Sequence, residues 1–317
     1  MRENEKLLQK ADIAVSDLES NGGKLSVEQS GSFIRKLLVQ PTMLGQVRRV
    51  VMSAPERNVN KIQFASRIMR PGVSNTALSA GDRAKPTTEK ITLTTKEVIA
   101  EINLPYDVIE DNIERGNIGT MTGGAGDASG GLKDTIMTLI AERAAIDLEE
   151  LAILGDTGST DAYLALTNGW LSRLTANVVD AAGSPVSRRL FTDGMKTLPS
   201  QYRRNRAALG HWVSTENEID YRETIAQRET AAGDAQTRNT DAVFAAGAPV
   251  GGVGLMPSAQ GILTNPLNLL FGIQRDVHVE TDKDIRARKY IIVLTARVDF
   301  QVEEEEAAVK YQNVGSV

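Results

Sequence analysis

Cysteine is absent from the 317-residue chain, which excludes disulfides, thiolate nucleophiles and sulfur-ligated metals by inventory. Histidine is nearly absent. The two present, His211 and His278, lie far apart, with no partner at helical spacing to form a metal-binding face. No metal and no cofactor is therefore expected. Aromatic residues are only 4%, so large aromatic anchors cannot carry stability alone and broad aliphatic contact must replace them. No apolar run approaches the roughly 20 residues needed to span a bilayer, and no membrane partner is expected. The opening MRENEKLLQKADIAVSDLESNGGK lacks the continuous apolar stretch of a secretory signal, which predicts a cytosolic product. The net charge of −5 gives no overall attraction for polyphosphate, which disfavours sequence-specific DNA reading while leaving room for local contact.

What is present fits a folded or assembling protein: 41% hydrophobic and 24% charged residues lie near soluble averages. Residues 1 to 24 read as a polar amphipathic arm. Residues 27 to 39 read as a short helix with a Phe33, Ile34, Leu37, Leu38 stripe, ended by Pro41. From Asn60 to Lys90, two β-compatible flanks bracket a long stretch containing Gly, Pro and Ser, which predicts an extended two-stranded excursion. Such a hairpin is marginal unless something packs on it. Arg67, Arg70, Arg83, Lys85 and Lys90 ride on it, as a solvated loop or as partners for an acidic surface on an adjacent subunit.

KEVIAEINLP predicts a strand packed on one face, and Pro105 opens a short helix around Tyr106 to Ile113. MTGGAGDASGG lacks the Gly-Lys-Ser/Thr ending of a phosphate loop and reads as a linker. The clearest helix follows: Leu132, Ile136, Ile140, Ala144, Leu148 and Leu151 make one stripe over about 23 residues, roughly 35 Å, with Gly155 as its C-cap. The spacing of its acids, Glu142, Asp147, Glu149 and Glu150, places several of them on a solvated face rather than in acid–base chemistry. Further on, Leu190, Met195 and Leu198 suit a helix broken at Pro199. Ala208, Leu209, Trp212 and Val213 suit a short buried strand, and Ser214 or Thr215 suits the cap of the next helix. His211, Ser214 and Asp220 are close in sequence, but a triad also needs an exposed nucleophile and an oxyanion hole. In KYIIVLTARVDFQV, apolar residues from Tyr290 to Val302 keep strict period two, predicting a strand of about 13 residues and roughly 43 Å. The Glu303 to Glu306 run reads as a solvated edge that blocks unwanted strand pairing, with a cation site as the alternative.

In this order, the hairpin, the ELAILGD-ended long helix, NGWL at Asn168 to Leu171, LPSQYRRNRAALGHWVST, GILTNPLNLLFGIQRDVHVETD and the closing RKYIIVLTARVDFQVEEEEAAVKY resemble tailed-phage major capsid proteins with the Hong-Kong-97-type fold. The resemblance covers nearly the whole chain. It implies an α+β fold: an N-terminal arm (1–30), a peripheral domain (31–59 and 96–171) with a spine helix (130–156) on an elongated antiparallel sheet, an E-loop hairpin (60–95), an axial domain (172–290) and a strand returning to the peripheral domain (291–317).

It implies, too, a non-enzymatic shell subunit that self-assembles as pentamers and hexamers into an icosahedral head. The head would enclose double-stranded DNA held by non-specific contact, and its subunits would be assembled in the bacterial cytoplasm. A separate scaffolding protein, a portal and a decoration protein are the implied partners, since only about 25 residues precede the recognisable portion. Some members cross-link a hairpin lysine to a distant asparagine; Lys85 and Lys90 lie in that region, and no motif identifies the asparagine or the acidic catalyst. An encapsulin-like compartment shares this fold and would be told apart by protein cargo instead of nucleic acid. A soluble oligomeric enzyme would be told apart by small size in gel filtration.

Overall fold

A computed structural model describes residues 42–64, 67–72, 77–79, 81, 83–105, 132–227 and 242–315. The arm at 1–30, the helix at 27–39, the helix around Tyr106 to Ile113 and the glycine-rich linker fall outside them. In chain order, the strands and helices are β1 (Arg48–Val51), β2 (Glu56–Gln63), β3 (Thr87–Thr94), β4 (Lys96–Pro105), α1 (Leu132–Leu154), α2 (Trp170–Arg173), β5 (Val178–Asp180) and α3 (Arg188–Thr197). There follow β6 (Gly210–Ser214), α4 (Thr215–Ala226), β7 (Val243–Ala245), β8 (Ala248–Val253), β9 (Gly261–Thr264), β10 (Leu269–Asp284), β11 (Lys289–Val302) and β12 (Val309–Gln312).

The long strands build a four-stranded sheet in the order β1-β10-β11-β4. β11 pairs antiparallel with both β10 and β4, whereas β1 joins the β10 edge in parallel. Its period-two pattern is realised: Ile292, Leu294, Ala296, Val298, Phe300 and Val302 are all buried. Part of that face meets the carboxy-terminal portion of α1 through Leu148, Leu151, Ala152 and Ile153. Trp170 closes the layer edge-on against Phe300 at 5.8 Å between ring centres, and Phe271 stacks on Phe300 at 5.3 Å. The opposite face carries a smaller cluster of Val50, Met52, Leu93 and Leu270.

The second sheet has six strands in the order β5-β12-β9-β6-β8-β7, with parallel pairings at β12/β5 and β6/β8. Leu190, Phe191, Met195 and Leu198 of the α3 region and Tyr221 of α4 pack with Val213, Val250, Leu263 and Tyr311 of its strands. Ser187 caps α3 by accepting from the Leu190 amide. Ser214 caps α4 by accepting from the Asn217 amide, the hydroxyls satisfying amides that the first helical turn leaves unpaired.

Three expectations need correction. The strand content of 172–290 and 291–317 is shared between the sheets: β10 lies in the four-stranded sheet and β12 in the six-stranded one. The reason is local pairing, because β10 and β11 form one hairpin from Leu269↔Val302 to Asp284↔Lys289, and a boundary at 290 would cut through it. Glu149 is not solvated: it is 2% exposed, and its carboxylate accepts the backbone amides of Thr42, Met43 and Leu44.

Nor is the Glu303 to Glu306 run a bare solvated edge. Glu303 pairs with Arg48 at 2.8 Å and Glu304 pairs with Lys61. Glu305 accepts from the Thr175 amide and hydroxyl and the Ala176 amide. Burial pushes the Glu305 carboxyl up, and these hydrogen bonds outweigh it, leaving the group below its ordinary range.

The two sheets are joined where the chain passes from α2 to β5, from β9 to β10 and from β11 to β12. Asn268 clasps the last two passages: its side-chain amide nitrogen donates to the Glu304 carbonyl at 2.8 Å, its side-chain oxygen accepts from the Glu304 amide at 2.8 Å, and its carbonyl accepts from the Glu303 amide at 2.9 Å.

His211 is fully buried in the six-stranded sheet. Its Nε2 lies 3.3 Å from the Ala245 carbonyl and its Nδ1 2.9 Å from the Tyr311 hydroxyl. A carbonyl can only accept, so Nε2 carries the proton and Tyr311 donates to Nδ1. Burial lowers the imidazole to about 4 from 6.5, against a small opposing pull from the Ala245 carbonyl. The unfolded chain takes up a proton below 6.5 and the folded chain only near 4. Stability is thus complete above that window and falls as pH drops through it, by about 3 kcal/mol at its lower end. Denaturant midpoints measured from pH 7 to 4.5 should show this slope. His211→Gln should be less stable at pH 7 and flatter with pH; an equally steep variant would assign the slope to other groups.

Candidate assembly surface

β2 and β3 pair over their full length, from Glu56↔Thr94 to Gln63↔Thr87. The Thr-rich TTEKITLT of β3 suits this half-exposed ladder, since β-branched side chains pack well on a pleated surface. The foot of the hairpin is anchored. Leu93 sits fully buried on Val50, Met52 and Leu270, with Val59 against the same cluster, and the Thr94 amide donates to Asp299 at 2.7 Å.

Asp299 is itself buried, accepting from the Thr167 hydroxyl at 2.9 Å with Arg173 at 3.7 Å. Burial pushes its carboxyl above the ordinary range, in opposition to these partners. Lys61 reaches back from β2 to Glu304 and, at 3.4 Å, to Glu89. The outer half of the ladder is thus tied to the joint between the sheets.

At the outer end of the ladder and beyond it the character changes. Ile62, Phe64, Ile68, Met69 and Leu78 are all exposed, Met69 to 81%. Five large apolar side chains on one excursion is an arrangement that a stable monomer avoids, because each leaves apolar area in water that a partner would remove. The predicted basic residues share this excursion: Arg67 and Arg70 follow β2, Arg83 and Lys85 precede β3, and Lys90 stands on β3 opposite Asn60. All five are exposed, and none meets a carboxylate among the described residues. The structure strings them along the excursion without gathering them into a chemical centre. The apolar residues are the feature that sequence reasoning missed; the signal was present as IQF and IM standing in an otherwise polar stretch.

Nothing comparable to a reaction centre is assembled around His211. Both ring nitrogens are engaged, Ser214 is committed to capping α4, and the residues suggested as a triad are not brought together. Among the described residues, no group of three His, Asp or Glu side chains is placed to hold a metal ion, and no helix is long and apolar enough to cross a membrane.

Comparison with known proteins matches nearly the whole chain. No family profile matches it. The prophage capsid protein YqbE of Bacillus subtilis (strain 168) is 38% identical over 323 residues, covering 98% of this chain and 99% of that protein. Among solved structures, the capsid of a native GTA particle superposes with a TM-score of 0.65 at 18% identity, over 95% of this chain and all of the other. The satellite phage P4 procapsid, which includes its size determination protein, gives 0.63 at 13% identity over 96% of this chain and 99% of the other. The mixed helix and sheet architecture described above is the one these capsids share.

Proposed function

The chain belongs to the phage capsid proteins, and on that premise we propose that it is the major head subunit, a structural part that works by closing a shell around phage DNA. The observation that carries the mechanism is the hairpin: a foot packed into the subunit and an outer part that presents Ile62, Phe64, Ile68, Met69 and Leu78 to solvent. Each copy lays this excursion over a neighbour, which buries the apolar side chains, while Arg67, Arg70, Arg83, Lys85 and Lys90 meet acidic groups at the rim.

On this reading the hairpin is the E-loop, α1 the spine helix, the four-stranded sheet with α1 the peripheral domain, and the six-stranded sheet with α3 and α4 the axial domain. Residues 1–30 form the arm. Hexamers and pentamers close an icosahedral shell in the bacterial cytoplasm, with a separate scaffold, a portal and a decoration protein as partners, and the finished subunit resides in the virion. Modest contacts repeated by symmetry sum to a stable particle even where each is small.

Deleting residues 66–86 removes the outer excursion and spares the paired ladder and its foot. The expected result is folded, soluble subunits with no particles in negative stain. Intact shells from that deletion would overturn the mechanism, and nucleic acid rather than protein inside wild-type particles separates a phage head from an enzyme-filled compartment.

A further inference from the structure

The six-stranded sheet carries a second charged feature that the hairpin mechanism does not use. Arg188 and Lys196 of α3, with Arg203, Arg204 and Arg206 of the following loop, line one open cavity of about 540 Å³ whose lining contains no carboxylate. Four of these cations have no ion pair among the described residues; Lys196 has only a 3.9 Å contact with Asp193 at its edge. The Nε of Arg203 is buried and lacks an acceptor, a cost that an incoming oxyanion would remove. No aromatic ring lines the space, so nothing there would stack a base. Its concave shape admits side chains more readily than the rigid convex surface of a duplex.

The same chain supplies the complement. On α4, Glu216, Asp220 and Glu223 recur at i, i+4 and i+7, one stripe rising about 10 Å. None of the three has a cation partner among the described residues, while Glu218 beside them is taken by Arg222 at 2.7 Å. Ile219, exposed to 55%, flanks the stripe and would be covered by the same contact. We propose that the basic cavity of one subunit receives the acidic α4 stripe of the next copy. A contact between two different patches repeats head to tail and closes a ring when the rotation allows. The proposal rests on shell assembly by this chain, and adds which surfaces meet within a ring.

The test uses full-length protein, with shells scored by sedimentation and electron microscopy and subunit folding by circular dichroism. Arg188→Glu with Arg204→Glu and Arg206→Glu, and separately Glu216→Arg with Glu223→Arg, change exposed positions only. Each set is expected to lose the shell peak while staying folded, and the two combined are expected to restore it. Because the chain has no cysteine, a second readout is clean: shells mixed from Arg204→Cys and Glu216→Cys subunits should yield the mixed dimer with a short bismaleimide. Wild-type shell yield from either reversal, no restoration in the combination, or no mixed dimer would overturn the proposal. So would basic-reversal shells that form normally but hold less DNA, since the cavity would then serve phosphates. Wild-type protein that forms no shells would count against the shell reading itself.

Discussion

Replacing Glu149 with Ala should destabilise the unassembled subunit by about 3 to 5 kcal/mol, the range for stripping the acceptor from a buried hydrogen-bonded group. One carboxylate on α1 accepts three consecutive amides at Thr42, Met43 and Leu44. Their turn delivers Met43, Leu44 and Val47 into the main core. Removing the carboxylate leaves buried N–H groups unpaired and loosens these three side chains together. Glu149→Gln keeps one acceptor oxygen but turns a donor toward amides that also donate, so it should recover only part of the loss. Guanidinium denaturation checks this; a loss under about 1 kcal/mol for the alanine variant would mean the segment is held by its side chains alone.

Gly155→Ala is expected to be comparably damaging, above about 3 kcal/mol and with little soluble protein, because the obstruction is backbone and cannot rotate away. A Cβ at Gly155 would lie 2.4 Å from the Thr167 carbonyl oxygen and 2.9 Å from the Gly169 nitrogen. Gly169 in turn donates to the Gly155 carbonyl at 2.7 Å. These two glycines let the end of α1 press against the segment that carries Trp170 into the core. Gly158→Ala is the control: its Cβ would meet only the Asp156 side chain, at 3.5 Å, and thermal melting should barely change. Equal melting temperatures for all three proteins would refute the close-approach argument.

Gly155 also shows how a correct reading can rest on the wrong cause. It was read as the C-cap of α1, a place where glycine commonly serves by taking positive φ, yet among the described residues the glycines with positive φ are Gly183 and Gly247, and what Gly155 supplies is room. β11 was legible because one face of it is buried along most of its length, so period two survives in the residues themselves. α1 was legible as a helix, but its stripe overstated the burial: Leu148 and Leu151 are buried, while Ile140 and Ala144 are only half so. Periodicity records which side is apolar and not what covers it.

Glu149 could not have been found this way, because its partners are backbone amides more than a hundred positions away and amides leave no side-chain signature. The hairpin was legible from its flanks, and the basic residues drew attention because charge is conspicuous in a sequence. Ile62, Phe64 and Met69 fall in stretches read only as β-compatible flanks, and it is the fold that leaves them exposed.

The clasp at Asn268 bears on how a capsid subunit carries load. Two of the crossings between the lobes lie at neighbouring points that are stitched to each other, so a pull on one lobe reaches the other along paired polypeptide lines instead of a single swivelling tether. The lobes should therefore travel as one rigid tile, leaving any change in the curvature of the wall to be absorbed at the seams between tiles.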